Sequence, residues 1–260
     1  MRIGVIIPTL DEEDVIERTL RTLLQRGRPA IVVVADCGSL DRTIALAQQF
    51  DVVTLSDSAL NTRAKAMNVG AARALRDCPG LEALWFLHAD SIPPHEWDSC
   101  IADGMNVVRV VGGAFDIRWN YEGVDLFRRT KLAFFQRINR FRFHLTHIFF
   151  GDQGIFVRPD AFEEVGHMPH VDLLEDVLLC RLLKRRGRLI LARGVVRTNP
   201  RRFLKHGVCR QVMLDVWLLL SERLGLRQRR LHEWYNQEKA YEGRRSVSPD
   251  LGDSHIHSPR

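Results

Sequence analysis

One segment of the sequence carries a histidine and an aspartate directly after an apolar run. The apolar residues 85–87 are followed by His88, Ala89 and Asp90. An uninterrupted apolar run is typical of a strand buried on both faces, and ligands bind at the carboxyl edge of open α/β sheets. An aspartate fixed at that edge can hold a divalent cation, which in turn can hold a diphosphate. The alternative is a strand followed by an ordinary helix-capping aspartate.

Three further carboxylates stand where a strand ends or a helix begins. Asp36 follows the β-branched run 31–34 and precedes Gly38, whereas Glu175 and Asp176 precede an amphipathic segment. The dipole of a helix N-terminus stabilises negative charge, so it would keep a carboxylate ionised, as a general base must be. Two structural alternatives stay open, namely an Asx turn of Asp36 with Gly38 and helix capping by the Glu175-Asp176 pair.

The elements that must position these side chains alternate between strand and helix along the first third of the chain. Strands are predicted over 3–7, 31–34, 52–55 and up to His88, and helices after Asp11, from about Asp41 and over 64–75. Thr9 with Glu12, or the Asp11 carboxylate, is expected to cap the first helix. Short connections between alternating strands and helices predict a parallel sheet covered by helices.

The remaining sequence extends this α/β pattern. Strands are predicted over 114–119, 155–157 and 189–192, and helices over 124–147, from the Pro159 turn to about Val165 and over 174–186. We expect one domain over residues 1–200, a helical extension packed on it over 201–242, and a disordered tail over 243–260, where almost nothing is apolar.

Charge and composition limit the function classes. The net charge is +6, but residues 181–230 hold 15 Lys or Arg against 2 Asp or Glu, which leaves about −7 for the remainder. Such a segment suits an anionic partner or a solvated basic face. The five cysteines are odd in number and widely spaced, which argues against disulfides and a structural zinc site. No apolar run of 18 residues, signal peptide or glycine-rich nucleotide motif is present, so we expect an intracellular protein.

Four motifs in order resemble family 2 glycosyltransferases of the GT-A fold. They are residues 8–13 (Pro-Thr-Leu-Asp-Glu-Glu), 34–43 around Asp36, 88–90 (His-Ala-Asp) and Glu175-Asp176. Residues 63–71, 87–90, 151–156 and 174–177 are more closely similar to a bacterial subgroup described as associated with radical-SAM and selenodomain proteins. The resemblance runs from residue 3 to about 235. It implies a mostly parallel mixed sheet between helices, with C-terminal helices, that binds a nucleotide-sugar across its top.

The resemblance also implies residues that bind the nucleotide-sugar. They lie on the loops at the sheet edge, and they are Pro8, Thr9, Glu12, Asp36, Arg63, Asn68, His88, Ala89, Asp90, Arg201 and Arg202. Asp36 would accept a hydrogen bond from the base, and Asp90 would hold Mg²⁺ or Mn²⁺. Because imidazole ligates Mg²⁺ poorly, His88 is expected to touch ribose or phosphate instead. The two arginines would neutralise the leaving diphosphate.

The chemistry itself is implied for the acidic pair. Asp176 would remove the proton of the acceptor hydroxyl, with Glu175 as a neighbour that contacts the acceptor. Gly151, Asp152 and Gln153 would face the donor sugar or the acceptor. For Arg63 and Asn68, a capping or surface role is an equal alternative, and a solvent-facing role is one for Arg201 and Arg202.

These residues predict an inverting, metal-dependent glycosyltransferase that uses a nucleotide-sugar, with a UDP-sugar the expected donor. One alternative is a sugar-phosphate nucleotidyltransferase, against which the acidic residues 11–13 argue. Another is a non-catalytic basic protein that binds nucleic acid or an anionic membrane. Few aromatic residues interleave the arginines of 181–230, which argues against nucleic acid. The apolar residues 212–220 could lie on an anionic lipid surface and bring a cytoplasmic enzyme to a lipid-linked acceptor at the inner face of the membrane.

Overall fold

A seven-stranded mixed sheet forms the centre of the part of the chain that the structure describes. The computed structural model describes residues 1–119, 125–126, 129–130, 132–134, 136–137, 143, 146–171 and 174–198, all within one compact unit. The strands are β1 (Ile3–Thr9), β2 (Ile31–Asp36), β3 (Val53–Ser56), β4 (Ala83–Phe86), β5 (Val110–Trp119), β6 (Ile155–Val157) and β7 (Arg188–Thr198). Their order is β3-β2-β1-β4-β6-β5-β7. Only β6 runs antiparallel to its two neighbours, so the predicted mostly parallel mixed sheet is confirmed.

Helices cover both faces of the sheet. They are α1 (Ile16–Arg26), α2 (Thr43–Ala47), α3 (Arg63–Asp77), α4 (Trp97–Met105), α5 (Pro159–Glu164) and α6 (Glu175–Leu183), with a 3₁₀ turn over Gly151–Gln153. Helix α4 is an element that the sequence prediction lacked. The predicted helical extension over 201–242 and the tail over 243–260 lie outside the described residues, as does half of the predicted helix over 124–147.

Strand β1 lies inside the sheet, between two apolar layers of the core. All seven residues of β1 are buried. Because side chains alternate along a strand, Ile6 packs in one layer with Met67 and Phe86, whereas Val5 and Ile7 lie in the other. Such two-sided burial holds the carboxyl end of β1 in place.

Helix α3 lies unusually close to the sheet. A Cβ atom at Gly70 would lie 2.7 Å from Ile6 Cγ2, so glycine is needed for this approach. The alanines of α3 that face the sheet, such as Ala71 and Ala74, are also buried. The close contact fixes where Arg63, the first residue of α3, projects at the end of the sheet.

The first helix begins later than the sequence predicts, and its predicted capping is wrong. Helix α1 starts at Ile16, and its N-cap residue, Val15, makes no side-chain capping bond. The Thr9 hydroxyl donates to Asp36 Oδ1 at 2.9 Å instead, and Asp11 Oδ1 accepts from the Leu40 amide at 2.9 Å. Both side chains therefore tie the loop after β1 to the loop after β2.

The last two long strands extend beyond their predicted limits. In β5 the predicted alternation is confirmed over its second half, where Arg118 is exposed between the buried Ile117 and Trp119. Strand β7 continues to Thr198 and pairs with β5 along its length, with register shifts between Val110 and Gly112 and between Phe115 and Asp116. An isolated antiparallel bridge joins Ile92 to Arg197. This bridge fixes the segment that follows Asp90 against the end of β7.

Candidate functional site

Five residues from four parts of the chain meet at the end of the sheet. They are Arg63, His88, Gly151, Glu175 and Asp176, here called the Arg63–Asp176 cluster. Arg63 Nε donates to Glu175 Oε1 at 2.5 Å, and Arg63 Nη1 lies 3.0 Å from His88 Nε2. The Gly151 amide donates to Asp176 Oδ2 at 2.6 Å. The fold thus brings together predicted site residues that are up to 113 positions apart in sequence.

The start of α6 presents the two carboxylates to this cluster. Leu174 has a φ of 63°, a left-handed conformation that costs a non-glycine residue about 1–3 kcal/mol. Leu174 is also the N-cap residue, and it makes no side-chain capping bond. Asp176 Oδ1 accepts from the Val177 amide at 2.7 Å, so the capping alternative holds for Asp176 only in part. Glu175 instead pairs with Arg63 through a salt bridge.

Burial changes the acidity of Asp176. Glu175 and Asp176 are only 3% and 7% exposed, and they are neighbours in the chain. Burial and the adjacent Glu175 charge raise the pKa of Asp176 to about 6, although Arg63 and the amides of Gly151 and Val177 oppose the shift. A general base works best when its pKa lies near the working pH, and such shifts are common at catalytic sites.

Gly151 leaves no room for a side chain in this cluster. A Cβ atom there would lie 2.9 Å from His88 Nε2 and 3.3 Å from Asp176 Oδ2. The next residue, Asp152, is half-buried, and its charge raises the pKa of the Arg63 guanidinium together with Glu175 and Asp176, against the effect of burial. The arginine is therefore permanently charged and surrounded by three carboxylates.

Asp36 is fully buried and bound by the protein itself. Its carboxylate accepts from the amides of Gly38 and Ser39 at 3.0 and 2.9 Å and from the hydroxyls of Thr9, Ser39 and Ser56. Burial raises the pKa of Asp36, but the bonds from Ser39, Thr9 and Ser56 outweigh it, and the pKa is lowered. The contacts match the Asx-turn alternative. Base recognition by Asp36 stays a prediction, and it requires one of these donors to give way, because a carboxylate has about four acceptor positions.

Two predicted binding residues hold backbone segments together. The Asn68 side chain donates to the Met168 carbonyl and accepts from the Met168 amide, both at 2.9 Å. Gln153 accepts from the Phe150 amide and donates to the Phe115 carbonyl, both at 3.1 Å. In both cases the amide group is engaged by the fold. Substrate contacts of Asn68 and Gln153 stay predictions.

Replacing Asn68 with alanine is expected to lower the free energy of unfolding by about 1–3 kcal/mol, because it leaves the two Met168 backbone groups without their partners. Urea unfolding measures this loss, and Lys65→Ala, at an exposed position of the same helix, is the control. An unfolding free energy equal to the control's, together with lost nucleotide affinity, would instead assign Asn68 to the ligand.

The remaining residues of the first loop also make backbone contacts with β2 and with the segment that follows it. Pro8 and Thr9 end β1, and Pro8 pairs with Ala35 and Thr9 with Asp36 across the parallel ladder. The Glu12 amide donates to the Thr43 hydroxyl at 2.8 Å. The loops that end β1 and β2 are therefore joined at the edge where the resemblance expects the nucleotide.

Asp90 lies next to the end of β7. The Thr198 hydroxyl is 3.4 Å from Asp90 Oδ1, and the carbonyl of Ala89 accepts from the Thr19 hydroxyl at 2.6 Å. Ser91 Oγ is buried and has no hydrogen-bond partner among the residues that the structure describes. Within the described part of the chain, no group of three or more metal-ligating side chains exists. A Mg²⁺ or Mn²⁺ site that relies on one or two carboxylates plus substrate phosphates and water fits Asp90, because such ions need few protein ligands.

Some contacts of the site were not predicted. The salt bridge of Arg63 with Glu175 and the Thr198 contact with Asp90 join distant parts of the sequence, so no spacing signals them. The Ser39 contact with Asp36 is local, and a serine three residues after an aspartate could have suggested it. Arg201 and Arg202 lie outside the described residues.

Comparison with known proteins identifies the family and the fold of this chain. Residues 4–166 match the family described as glycosyl transferase family 2, which is more than half of the chain. No curated protein matches. Among the solved structures is the mannosyltransferase PcManGT from Pyrobaculum calidifontis in complex with GDP-Man and Mn²⁺, with a TM-score of 0.55 and 20% identity over 75% of this chain and 56% of that chain. The chain thus spans little more than half of that enzyme.

A second structure covers more of both chains. It is the glucosyl-3-phosphoglycerate synthase from Mycobacterium tuberculosis, with a TM-score of 0.56 and 18% identity over 87% of this chain and 81% of that chain, in complex with phosphoglyceric acid. The same synthase is also known in complex with Mn²⁺, UDP and glucosyl-3-phosphoglycerate, at a TM-score of 0.53. At these identities the likeness shows a shared GT-A fold. None of the helices described for the present chain is long and apolar enough to cross a membrane.

Proposed function

Because the chain belongs to glycosyl transferase family 2, we propose that it is an inverting glycosyltransferase that moves a sugar from a nucleoside-diphosphate donor to an acceptor hydroxyl. One observation supports this most strongly. A buried carboxylate, Asp176, sits beside the glycine turn at Gly151 with its pKa raised to about 6. The solved complexes with GDP-Man, or with UDP and Mn²⁺, support a nucleotide donor by analogy of fold.

Asp176 is the proposed general base. At neutral pH it is ionised, because its pKa of about 6 lies below that pH. It can then take the proton of the acceptor hydroxyl as the oxygen attacks the anomeric carbon, opposite to the leaving diphosphate. The Gly151 amide and the first turn of α6 hold this carboxylate in one orientation. Inversion follows from this single in-line displacement.

Arg63 and His88 are the proposed contacts of the donor. Arg63 is 34% exposed at its side chain while it is bound to Glu175, so part of the guanidinium faces solvent. Its planar group holds His88 Nε2 at 3.0 Å and can orient the ring towards ribose or phosphate. When bound at Asp90, a divalent cation would offset the charge that develops on the diphosphate. Neutralisation by Arg201 or Arg202 stays a proposal, since neither is described.

We also propose which donor and which acceptor the enzyme uses. A UDP-sugar remains our expected donor, and TarS from S. aureus, solved with UDP-GlcNAc at a TM-score of 0.50 and 18% identity, shows such a donor on a related fold. A lipid-linked acceptor, and attachment of residues 212–220 to the inner face of an anionic membrane, also stay proposals. They rest on the basic charge of residues 181–230.

A thermal-shift panel of nucleoside diphosphates and nucleotide-sugars, with and without Mn²⁺, tests the donor and the metal together. At a hundredfold excess over Kd a bound nucleotide should stabilise the protein by about 2.7 kcal/mol. Replacing Asp90 with alanine is expected to remove the part of the stabilisation that depends on Mn²⁺. The exposed Asp51→Ala is the control.

Two outcomes would contradict this proposal. If no nucleotide stabilised the wild type, the donor assignment would be wrong. If the Mn²⁺-dependent stabilisation were equal in Asp90→Ala and in the control, the metal role of Asp90 would be wrong.

A further inference from the structure

A basic cavity lies on the face of β5 and β7 that Arg118 and Arg197 share. Its volume is about 310 Å³, within the usual range of small-ligand sites. The described residues that line it are Arg26, Pro94, His95, Arg118, Val195 and Arg197. Four of these six side chains carry or can carry a positive charge, and none is acidic. The cavity is therefore an anion-attracting surface.

The walls of this cavity are held by backbone bonds. Ile92 and Arg197 exchange both amide-to-carbonyl bonds, at 2.7 and 2.9 Å. The Arg26 guanidinium donates to the Pro93 carbonyl at 2.7 Å, and the Arg26 carbonyl accepts from the Glu96 amide at 2.7 Å. The end of α1, the segment after β4 and the end of β7 are thus tied together. The Arg26 guanidinium and the backbones of Arg118 and Arg197 are therefore held in place before a ligand binds.

These arginines have no carboxylate partner among the described residues. Neither Arg26, Arg118 nor Arg197 forms an ion pair within the described part of the chain. Burial, together with the charge of Arg197, lowers the pKa of Arg26, as expected when two like charges approach each other. A merely solvated basic face would let its arginines spread apart. Here they converge on one cavity, and an anion would relieve their repulsion.

We propose that the cavity lined by Arg26, Arg118 and Arg197 binds a phosphate group, carried either by a free phosphorylated molecule or by a phospholipid headgroup. Phosphate suits this lining better than a carboxylate because it offers three oxygens and up to two negative charges to several planar guanidinium groups. His95, which also lines the cavity, can add a further donor. The proposal goes beyond sugar transfer and does not depend on it.

The cavity lies close to Asp90, the candidate metal ligand, because the residue after Arg197 contacts Asp90. Successive side chains of a strand point to opposite faces, so Arg197 lines the cavity while Thr198 contacts Asp90 at 3.4 Å. A phosphate held at Arg197 would therefore lie behind the end of β7 and outside the Arg63–Asp176 cluster. Such a site can anchor a phosphorylated acceptor or a membrane surface beside the reaction centre.

The test measures binding of inorganic phosphate and inorganic pyrophosphate to the full chain by calorimetry, with a chelator present to remove any metal-dependent binding at Asp90. Arg118→Ala and Arg197→Ala are each expected to weaken the binding about tenfold or more, as the loss of one charge-assisted contact predicts. The matched control is Arg188→Ala, which removes the same charge from an exposed position at the opposite end of β7. Thermal unfolding checks that the variants stay folded, as exposed arginines should.

A second arm distinguishes the two sources of phosphate. Co-sedimentation is measured with phosphatidylglycerol–phosphatidylcholine vesicles and with pure phosphatidylcholine vesicles. Binding of the phosphate salts that is lost in Arg118→Ala and Arg197→Ala supports a free phosphorylated ligand. Binding of the anionic vesicles alone, lost in the same variants, supports a headgroup. The proposal is overturned if neither probe binds, or if both variants bind as the Arg188→Ala control does.

Discussion

Asp176→Asn is expected to lower turnover of the nucleotide-sugar by about 10²–10⁴-fold, the usual contribution of a general base. Asparagine keeps the size of the side chain and one oxygen that can accept from the Gly151 amide, but it loses the second acceptor, which binds the Val177 amide, and it cannot take a proton. Nucleotide affinity should therefore stay close to that of the wild type. Release of the nucleoside diphosphate from the donor measures the change, and the exposed Glu164→Gln is the control.

The same substitution is expected to stabilise the protein at neutral pH. The pKa of Asp176 is about 6 when folded against an ordinary value of 3.8, so the unfolded chain loses this proton first as the pH rises. Stability is therefore lost between about pH 4 and pH 6, and it stays lost above that range. Removal of the buried charge should recover up to about 3 kcal/mol at neutral pH, and loss of the Val177 bond should cost about 1 kcal/mol. Asp176→Asn is therefore expected to gain about 1–2 kcal/mol, measured by urea unfolding. A variant that is both active and less stable would show that Asp176 serves the fold alone.

Arg63→Ala is expected to lower the free energy of unfolding by about 3–5 kcal/mol, because it leaves Glu175 buried without its countercharge. Since Arg63 also opposes the raised pKa of Asp176, its removal should move the base to still higher pKa values. Activity of the folded variant should then decline at neutral pH and recover partly as the pH rises.

Two further variants test whether the loss of stability comes from the unpaired buried charge of Glu175. Arg73→Ala removes an arginine of the same helix whose partner, Asp77, lies at the surface, and the expected loss is at most about 1 kcal/mol. Combining Arg63→Ala with Glu175→Gln should restore much of the stability, because no buried charge is then left alone. If Arg63→Ala were no more destabilising than Arg73→Ala, the buried pair of Arg63 and Glu175 would not stabilise the Arg63–Asp176 cluster.

The fold could be predicted from the sequence because its signals are local. The run before His88 and the β-branched run before Asp36 each predict a buried strand, and the structure places β4 and β2 there. Glu175 was expected before a helix, and α6 begins with it. Helix α4 was not predicted, although Trp97, Ile101 and Met105 recur at every fourth position and are all buried. The proline pair before it breaks the pattern.

The site was predictable in its membership but not in its contacts. The order of the motifs predicts that Arg63, His88, Gly151 and the acidic pair belong to one site. Nothing in the sequence predicts that Arg63 contacts Glu175, which is 112 positions away. That pairing depends on the strand order, which sets α3 and α6 on the same face of the sheet. Asp36 shows the converse. The hydrogen-bond donors to its carboxylate come from β1, β3 and its own loop. These donors meet only in the assembled sheet, so the sequence does not show that the carboxylate is fully hydrogen-bonded.

The pH dependence of kcat/KM tests the central claim most directly, because it reports the ionisation of the base in the free enzyme. With a donor identified by the thermal-shift panel, kcat/KM should rise about tenfold per pH unit below an apparent pKa near 6 and level off above it. Arg63→Lys, which keeps the positive charge, should retain this profile. A flat profile through about pH 5 to 8, or a profile that Asp176→Asn leaves unchanged, would contradict Asp176 as the base.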